Sequence, residues 1–148
     1  MKISTKTGDN GESSLHRGAR ARKSEGIFDL LGDLDELSAL IGMCGGEPEG
    51  DADRDLLKKI QRDLRRIMGG EMVAVDDLEK EIEKLEREIS RKEFVLPEGW
   101  LHVARTVCRR AERGYWKWRD KGGEGLDESV GIYLNRLSDL LFLLAEKC

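Results

Sequence analysis

The amino-acid sequence predicts an all-α fold, a bundle of about five helices, and three observations support this fold class. Apolar residues recur at spacings of three and four along five segments, which places them on one face of a helix. Strand-like alternation of polar and apolar residues never extends beyond a few positions. Short turns that contain glycine separate the segments, as in helical bundles.

Length and composition favour one domain, which we expect to span residues 1–148. A net charge of −4 and a pI near 5.4 argue against nucleic acid or an anionic membrane as the main partner. The cysteines Cys44, Cys108 and Cys148 lie far apart, so neither a disulfide framework nor a zinc cluster is indicated. Because we find neither a secretory signal nor an apolar run long enough to span a bilayer, we expect a soluble cytoplasmic protein.

Residues 1–24 have the composition of a loop. Between Thr5 and Ser14 the chain has two glycines, four hydroxyl residues and the turn formers Asp9, Asn10 and Glu12. Glycines let backbone N–H groups approach an anion, and the basic residues that follow, including Lys23, add positive charge. The segment therefore suits a phosphate site, although a flexible polar tail has the same composition.

The first helix is predicted from Ile27 to Cys44 by apolar residues at helical spacing. Gly32 interrupts it, and a glycine inside a helix costs about 1 kcal/mol relative to alanine. We expect Gly32 to mark a close approach by another chain or a ligand. Asp33, Asp35 and Glu36 lie in the same helix, and residues 45–50 form a turn.

Two further helices follow. Asp51 is expected to cap the second, whose apolar residues run from Leu56 to Ile67 before two glycines weaken the helix. The third, residues 75–90, has a narrow apolar face and alternating acidic and basic residues outside it.

The central helix, residues 101–118, has an apolar face and an opposite charged face. The charged face carries Arg105, Arg109, Glu112 and Arg113. Three guanidinium groups and a carboxylate that can hold a divalent cation suit a polyphosphate, but a solvated surface has the same pattern. The residues predicted to face the core are Trp100, Val103, Ala104, Val107, Cys108 and Ala111.

The last helix is predicted from Asp127 to about Lys147. Its wide apolar face includes Tyr133, Leu137 and Leu141, and Asn135 with Asp139 lies on the other side, one turn apart.

Five motifs together resemble the PduO-type corrinoid adenosyltransferases, also called ATP:cob(I)alamin adenosyltransferases. They are TKTGDNGESS, Lys23, the Gly32-x-x-Asp35-Glu36-Leu37 helix, HVARTVCRRAER and YLNRLSDLLF, in the family's order. The resemblance implies a five-helix bundle that forms a homotrimer with active sites between subunits. It also implies transfer of the 5′-deoxyadenosyl group of ATP to cobalt(I) of cob(I)alamin, which gives adenosylcobalamin and triphosphate. ATP and Mg²⁺ would be required.

The resemblance also implies roles for individual residues. Arg109, Glu112 and Lys23 would be catalytic, and Glu112 would lie near the Mg²⁺. Asp35 and Arg105 would join neighbouring subunits, and Phe94 would close an apolar pocket over cobalamin. The residues expected to bind the nucleotide are Thr5, Lys6, Thr7, Gly8, Ser13, Ser14, Lys23, Arg109, Arg110, Glu112, Arg113 and Asn135.

Two other functional classes fit parts of the sequence. A non-catalytic relative would bind a nucleotide or a corrinoid without turnover, and a structural helical oligomer would bind neither. For the enzyme, a cobalamin reductase or an adenosylcobalamin-dependent enzyme is a further expected partner.

Overall fold

The computed structural model describes residues 4–15, 18–46, 50–89 and 96–147, which form a helical bundle preceded by a small hairpin. The strands β1 (Glu12–Ser14) and β2 (Arg20–Arg22) pair antiparallel, with Ser13 opposite Ala21. The helices are α1 (Gly26–Met43), α2 (Asp51–Met68), α3 (Asp76–Glu88), α4 (Gly99–Asp120) and α5 (Ser129–Lys147). These five helices confirm the predicted fold class.

Helix α4 packs against α1 on one side and against α5 on the other, while α2 adds to α1 and α3 adds to α5. Leu30, Leu34 and Leu37 of α1 are fully buried, and they follow the three-and-four spacing expected of a core face. No helix in the described part of the chain is long and apolar enough to cross a membrane.

Two predictions are wrong: one concerns the N-cap of α2, and the other concerns two residues of α4 that were expected to face the core. Asp51 does not cap α2, because Gly50 is the N-cap and Asp51 is the first helical residue, where its carboxylate accepts a bond from Arg54. Trp100 and Val103 do not face the core, since they are 46% and 40% exposed. The buried stripe of α4 instead runs through Leu101, Ala104, Cys108, Ala111 and Tyr115, which turns Val103 toward the surface.

The Tyr133 hydroxyl and the Asp63 carboxylate form a buried hydrogen bond between α5 and α2. The hydroxyl of Tyr133 donates to Asp63 Oδ2 at 3.2 Å, and Lys59 Nζ donates to the same oxygen at 3.1 Å. Burial raises the pKa of the Tyr133 phenol, and the carboxylate of Asp63 adds to this shift. The phenol therefore stays protonated and serves as a donor that fixes α5 on α2.

Candidate functional site

The N-terminal loop is held by its own side chains. Lys23 Nζ donates to the carbonyl of Gly8 at 2.9 Å, and Arg20 Nη2 donates to the carbonyl of Thr7 at 3.0 Å. Thr5 and Thr7 share a hydrogen bond of 3.0 Å between their hydroxyls. Lys23 and the N-terminal loop, which the sequence predicts to belong to one site, therefore lie next to each other in the structure.

The loop backbone has an unusual conformation at Lys6, where φ is 58°. A left-handed residue that is not glycine is uncommon, and such strain often occurs at binding loops. At Gly8 a Cβ atom would lie 3.0 Å from Lys23 Nζ, so glycine leaves room for the lysine side chain. Ser13 and Ser14 follow on β1, with Ser14 more exposed than Ser13.

The charged face of α4 is divided between two grooves. Arg109 and Arg113 are four positions apart, so they share a face of α4 but lie about 6 Å apart along its axis, where different helices pack against it. Arg113 lines a cavity of about 650 Å³ beside α1, which also contains Asp33, Lys117 and Trp118. Arg109 lines a second cavity of about 300 Å³ beside α5, together with Arg105, Asp139 and Phe142. The sequence predicted a single surface here.

Arg110 joins α4 to α1. Its Nε donates to Asp33 Oδ1 at 2.9 Å, and its Nη2 pairs with Glu36. The hydrogen bond that Arg110 donates to Asp33 is the main reason that the pKa of Arg110 is raised above its ordinary value. Within the described chain, Nη1 of this guanidinium has no hydrogen-bond partner.

Glu112 and Asn135 link α4 to α5. The amide Nδ2 of Asn135 donates to Glu112 Oε1 at 3.1 Å, and Asn135 Oδ1 accepts a bond of 3.0 Å from Arg136 Nη1. Arg136 is held in turn by Glu79 of α3, 3.0 Å away. This chain of contacts orients the Glu112 carboxylate and brings together two residues that the sequence predicted on separate helices.

Arg109 has no ion pair with any residue of the described ranges, nor has Arg113. Two guanidinium groups one helical turn apart are thus available to an anionic ligand. Arg105 lies one turn before Arg109, and its buried Nε has no hydrogen-bond partner within the described residues. An unpaired buried donor of this kind is rare in a folded protein and points to a missing acceptor.

Other predicted residues lie elsewhere. Asp35 lines a cavity of about 430 Å³ between α1 and α2, away from the cavity of Arg105. Phe94 lies outside the described residues. Hydrogen bonds from the loop residues 5–23 stay within residues 5–25 in the described chain, and no loop residue lines the cavity of Arg109.

Sequence reasoning missed several contacts made by residues of α1 and α4. Asp33 and Glu36 were visible as acidic residues in α1, but their pairing with Arg110 depends on how α1 packs on α4. His102 is buried, with Nε2 3.4 Å from Glu146 Oε1 and its ring edge-on to Phe142. Its apolar neighbours along the chain gave the only signal that it faces inward.

Glu112 is the candidate ligand for a magnesium ion. No cluster of three or more His, Cys, Asp or Glu residues able to hold a metal occurs in the part of the chain that the structure describes. Mg²⁺ usually binds through one or two carboxylates, substrate phosphates and water. Glu112 fits this mode, because only Oε1 is engaged by Asn135.

Comparisons with known proteins agree with the helical bundle. The family model described as cobalamin adenosyltransferase matches residues 3–148. A cobalamin adenosyltransferase of Cupriavidus metallidurans is 39% identical, over 97% of this chain and 86% of that protein. The corrinoid adenosyltransferase of Bacillus subtilis is 36% identical, over 98% of this chain and 85% of that protein.

Solved structures give the same result. A variant of the PduO-type ATP:corrinoid adenosyltransferase from Lactobacillus reuteri, complexed with cobalamin and ATP, superposes with a TM-score of 0.87 and 27% identity. That match covers 98% of this chain and 92% of the other. Family model, relatives and structure agree along nearly the whole chain, and we conclude that it belongs to the cobalamin adenosyltransferase family.

Proposed function

We propose that Arg109, Glu112 and Lys23 carry the reaction of this chain, a corrinoid adenosyltransferase that transfers the 5′-deoxyadenosyl group of ATP to a reduced corrinoid. The substrate cobalt(I) supplies the electron pair that forms the cobalt–carbon bond. The bond from C5′ to oxygen breaks, and its electron pair leaves with triphosphate. The protein therefore needs no nucleophile of its own, and its task is to hold the substrates in line and stabilise the leaving group.

The observation that carries this assignment is the unpaired state of Arg109 beside an oriented Glu112. A guanidinium with no carboxylate partner within the described residues is available to the triphosphate oxygens. Charge grows on those oxygens as the C5′–O bond breaks. Donors already fixed in place stabilise that charge without reorganising, which is the largest catalytic contribution in many enzymes.

Arg110, Arg113 and Asn135 are proposed to complete the nucleotide site on the bundle. Arg110 would contribute Nη1, since its other donors hold Asp33 and Glu36. Arg113 lies one turn after Arg109 and is exposed. Asn135 would orient Glu112 and retains an N–H for the nucleotide.

We propose that the N-terminal loop wraps the ATP phosphates. Lys23 would exchange its bond with the Gly8 carbonyl for a phosphate oxygen, a stronger partner because it is charged. The backbone N–H groups and hydroxyls expected to share this task belong to Thr5, Lys6, Thr7, Gly8, Ser13 and Ser14. When Mg²⁺ is bound it neutralises phosphate charge, and Glu112 is the residue we expect to hold it.

The active enzyme is proposed to be a homotrimer. Within one chain the loop and Arg109 belong to separate regions, which supports a site built from two copies. Asp35 and Arg105 would meet across this interface, where a carboxylate would supply the acceptor that Arg105 Nε lacks. Phe94 as the closing residue of the corrinoid pocket, a reductase or client enzyme as partner, and a cytoplasmic location stay predictions.

The test is an anaerobic assay with purified protein, MgATP and chemically reduced cobalamin. We expect the cob(I)alamin absorbance to disappear as adenosylcobalamin and triphosphate form in equal amounts. ATP alone should also raise the unfolding free energy, by about 2.7 kcal/mol at 100 times its Kd. Binding of ATP without product would indicate the non-catalytic relative, and no effect of ATP or cobalamin would indicate a structural oligomer.

A further inference from the structure

A chain of hydrogen bonds joins three helices and ends at Glu112. On α5, Arg136 Nε donates to Glu79 Oε1 of α3 at 3.0 Å, and Arg136 Nη1 donates to Asn135 Oδ1 at 3.0 Å. Asn135 Nδ2 then donates to Glu112 Oε1 of α4 at 3.1 Å. Neither Arg136 nor Glu79 is among the site residues expected from the sequence, so their part in this chain of bonds is a finding of the structure.

The side-chain amide of Asn135 has only one orientation that satisfies both neighbours. A guanidinium donates hydrogen bonds and accepts none, so the atom that faces Arg136 must be the amide oxygen. An ionised carboxylate accepts and does not donate, so the atom that faces Glu112 must be the amide nitrogen. Rotation of the amide by a half turn would break both bonds and set its oxygen against the carboxylate.

Arg136 can hold the amide because it is itself held. The bond from Nε to Glu79 fixes the plane of the guanidinium, and with it the direction of Nη1. Both bonds come from one rigid group, which the single flexible ammonium of a lysine does not reproduce. The side chains of Arg136 and Glu79 are 40% and 45% exposed, and an ion pair so exposed adds little to folding stability. Its loss should therefore leave the fold intact.

We propose that Arg136 and Glu79 are positioning residues of the transferase, which act on Glu112 through the amide of Asn135. The bond to Oε1 restricts rotation of the Glu112 carboxylate and leaves Oε2 for the Mg²⁺ that accompanies ATP. Loss of a group that orients a metal ligand typically lowers metal affinity or activity about 10- to 100-fold. The inference rests on the proposed function and adds α3 to the helices that control the nucleotide site.

The positive charge of Arg136 is an alternative cause that the test has to separate from geometry. Arg136 lines a cavity of about 320 Å³ beside the carboxylates of Glu79, Glu83, Glu86 and Asp139. Arg136→Lys keeps the charge in this cavity and removes the paired bonds. If charge alone mattered, lysine would preserve the site, so lysine is the informative substitution.

Calorimetric titration of ATP into the full chain, with Mg²⁺ and again with EDTA, measures the metal-dependent part of the affinity. Arg136→Lys should weaken binding with Mg²⁺ by about tenfold and change binding with EDTA much less. Glu79→Ala should have the same effect. Glu79→Gln keeps an acceptor for Arg136 Nε and should therefore restore most of the affinity.

A double variant tests whether Arg136 acts through the amide. In an Asn135→Ala chain, Arg136→Lys should have no further effect on binding with Mg²⁺, whereas independent effects would add. Arg66→Lys is the matched control, because Arg66 Nε donates to Glu71 at 3.1 Å on α2, which carries no residue of the proposed nucleotide site. This control should leave both affinities unchanged, and circular dichroism verifies that each variant is folded.

Unchanged affinity with Mg²⁺ in Arg136→Lys or in Glu79→Ala would overturn the proposal. Additive effects of the Asn135 and Arg136 changes would do the same, as would an unmodified chain that binds ATP equally well with Mg²⁺ and with EDTA. An unmodified chain that binds ATP with Mg²⁺ and transfers no adenosyl group would instead reject the proposed reaction. The loss of metal-dependent binding in Arg136→Lys would still support the positioning role.

Discussion

Arg109 is the residue on which the chemistry depends most directly. We expect Arg109→Ala to lower kcat/KM by about 10² to 10³, or roughly 3 to 4 kcal/mol, because a donor to the leaving triphosphate is lost. Arg109→Lys should recover part of this loss, since the charge remains while the paired geometry does not. Steady-state kinetics with MgATP and reduced cobalamin measure both.

Arg87→Ala is the matched control, an exposed arginine on α3. It should leave kcat/KM unchanged. Full activity of Arg109→Ala would show that the triphosphate is bound elsewhere.

Individual residues also show where sequence reasoning stops. The motif around Arg109 identified it as a candidate, and its spacing placed it opposite the core face. The pairing of Arg110 with Asp33 and Glu36 could not be predicted, because it depends on the packing of α1 against α4 across some 75 positions of sequence, a long-range property. The burial of His102 could likewise not be predicted from the helical period of α4 alone.

At the scale of elements, the start of α5 depends on Asp127. Its carboxylate accepts a bond from the backbone N–H of Ser129 at 2.9 Å, and hydrogen bonding by Ser129 lowers the pKa of Asp127. The ionised form is thus the one that stabilises the helix start. Its contribution is complete above the pKa of the unfolded chain, about 3.9, and is lost as the pH falls through the lower folded value.

Asp127→Ala should therefore lower Tm at pH 7, and the difference from the unmodified chain should shrink toward pH 3. Calorimetry at the two pH values measures this. Glu124→Ala, in the same connection, should lower Tm at neither pH. A difference for Asp127→Ala that is independent of pH would contradict the ionised cap.

Gly131 shows how closely α4 and α5 pack. A Cβ atom at this position would lie 2.8 Å from Tyr115 Cε1, and Tyr115 is fully buried with its hydroxyl bonded to the Asp127 carbonyl. We expect Gly131→Ala to destabilise the chain by about 1 to 3 kcal/mol, the usual cost of overpacking. Urea unfolding measures this change.

Gly32→Ala provides the comparison within another helix. Nothing lies within 4 Å of a Cβ atom at Gly32, so the better helix propensity of alanine should raise stability by up to about 1 kcal/mol. If Gly131→Ala were equally stabilising, the contact between α4 and α5 would be looser than the structure has it.

The helices themselves were the most predictable feature. The apolar period gave α1 as residues 27–44 and the structure has Gly26–Met43, a difference of one residue at each end. The hairpin of β1 and β2 was not predicted, because three-residue strands are too short for a periodic signal. The N-cap of α2 was predicted at Asp51 instead of Gly50, because aspartate is favourable both at the N-cap and in the first turn of a helix.

At the scale of the whole molecule, Asp35→Ala tests the expected subunit pair. Removal of this carboxylate should leave Arg105 of a neighbouring copy without its partner, so assembly or corrinoid affinity should fall. Sedimentation and cobalamin titration measure the two effects. Asp120→Ala, an exposed acid at the end of α4, is the control. Unchanged sedimentation together with unchanged corrinoid affinity would remove Asp35 from the interface.

Trp118 stands beside the first residue of α1, with its Cδ1 3.9 Å from the Cβ position of Gly26, and Gly26 follows Lys23 by three residues. Trp118 is more buried than the other two tryptophans, Trp100 and Trp116, which are 46% and 44% exposed. With both exposed tryptophans replaced by phenylalanine, the remaining fluorescence comes from this one indole, whose emission depends on its surroundings. We expect ATP to change that emission as the loop engages the phosphates, and a constant spectrum during ATP binding would show that the loop moves independently of α1. Trp118 would then serve as an optical reporter of nucleotide binding within the chain itself.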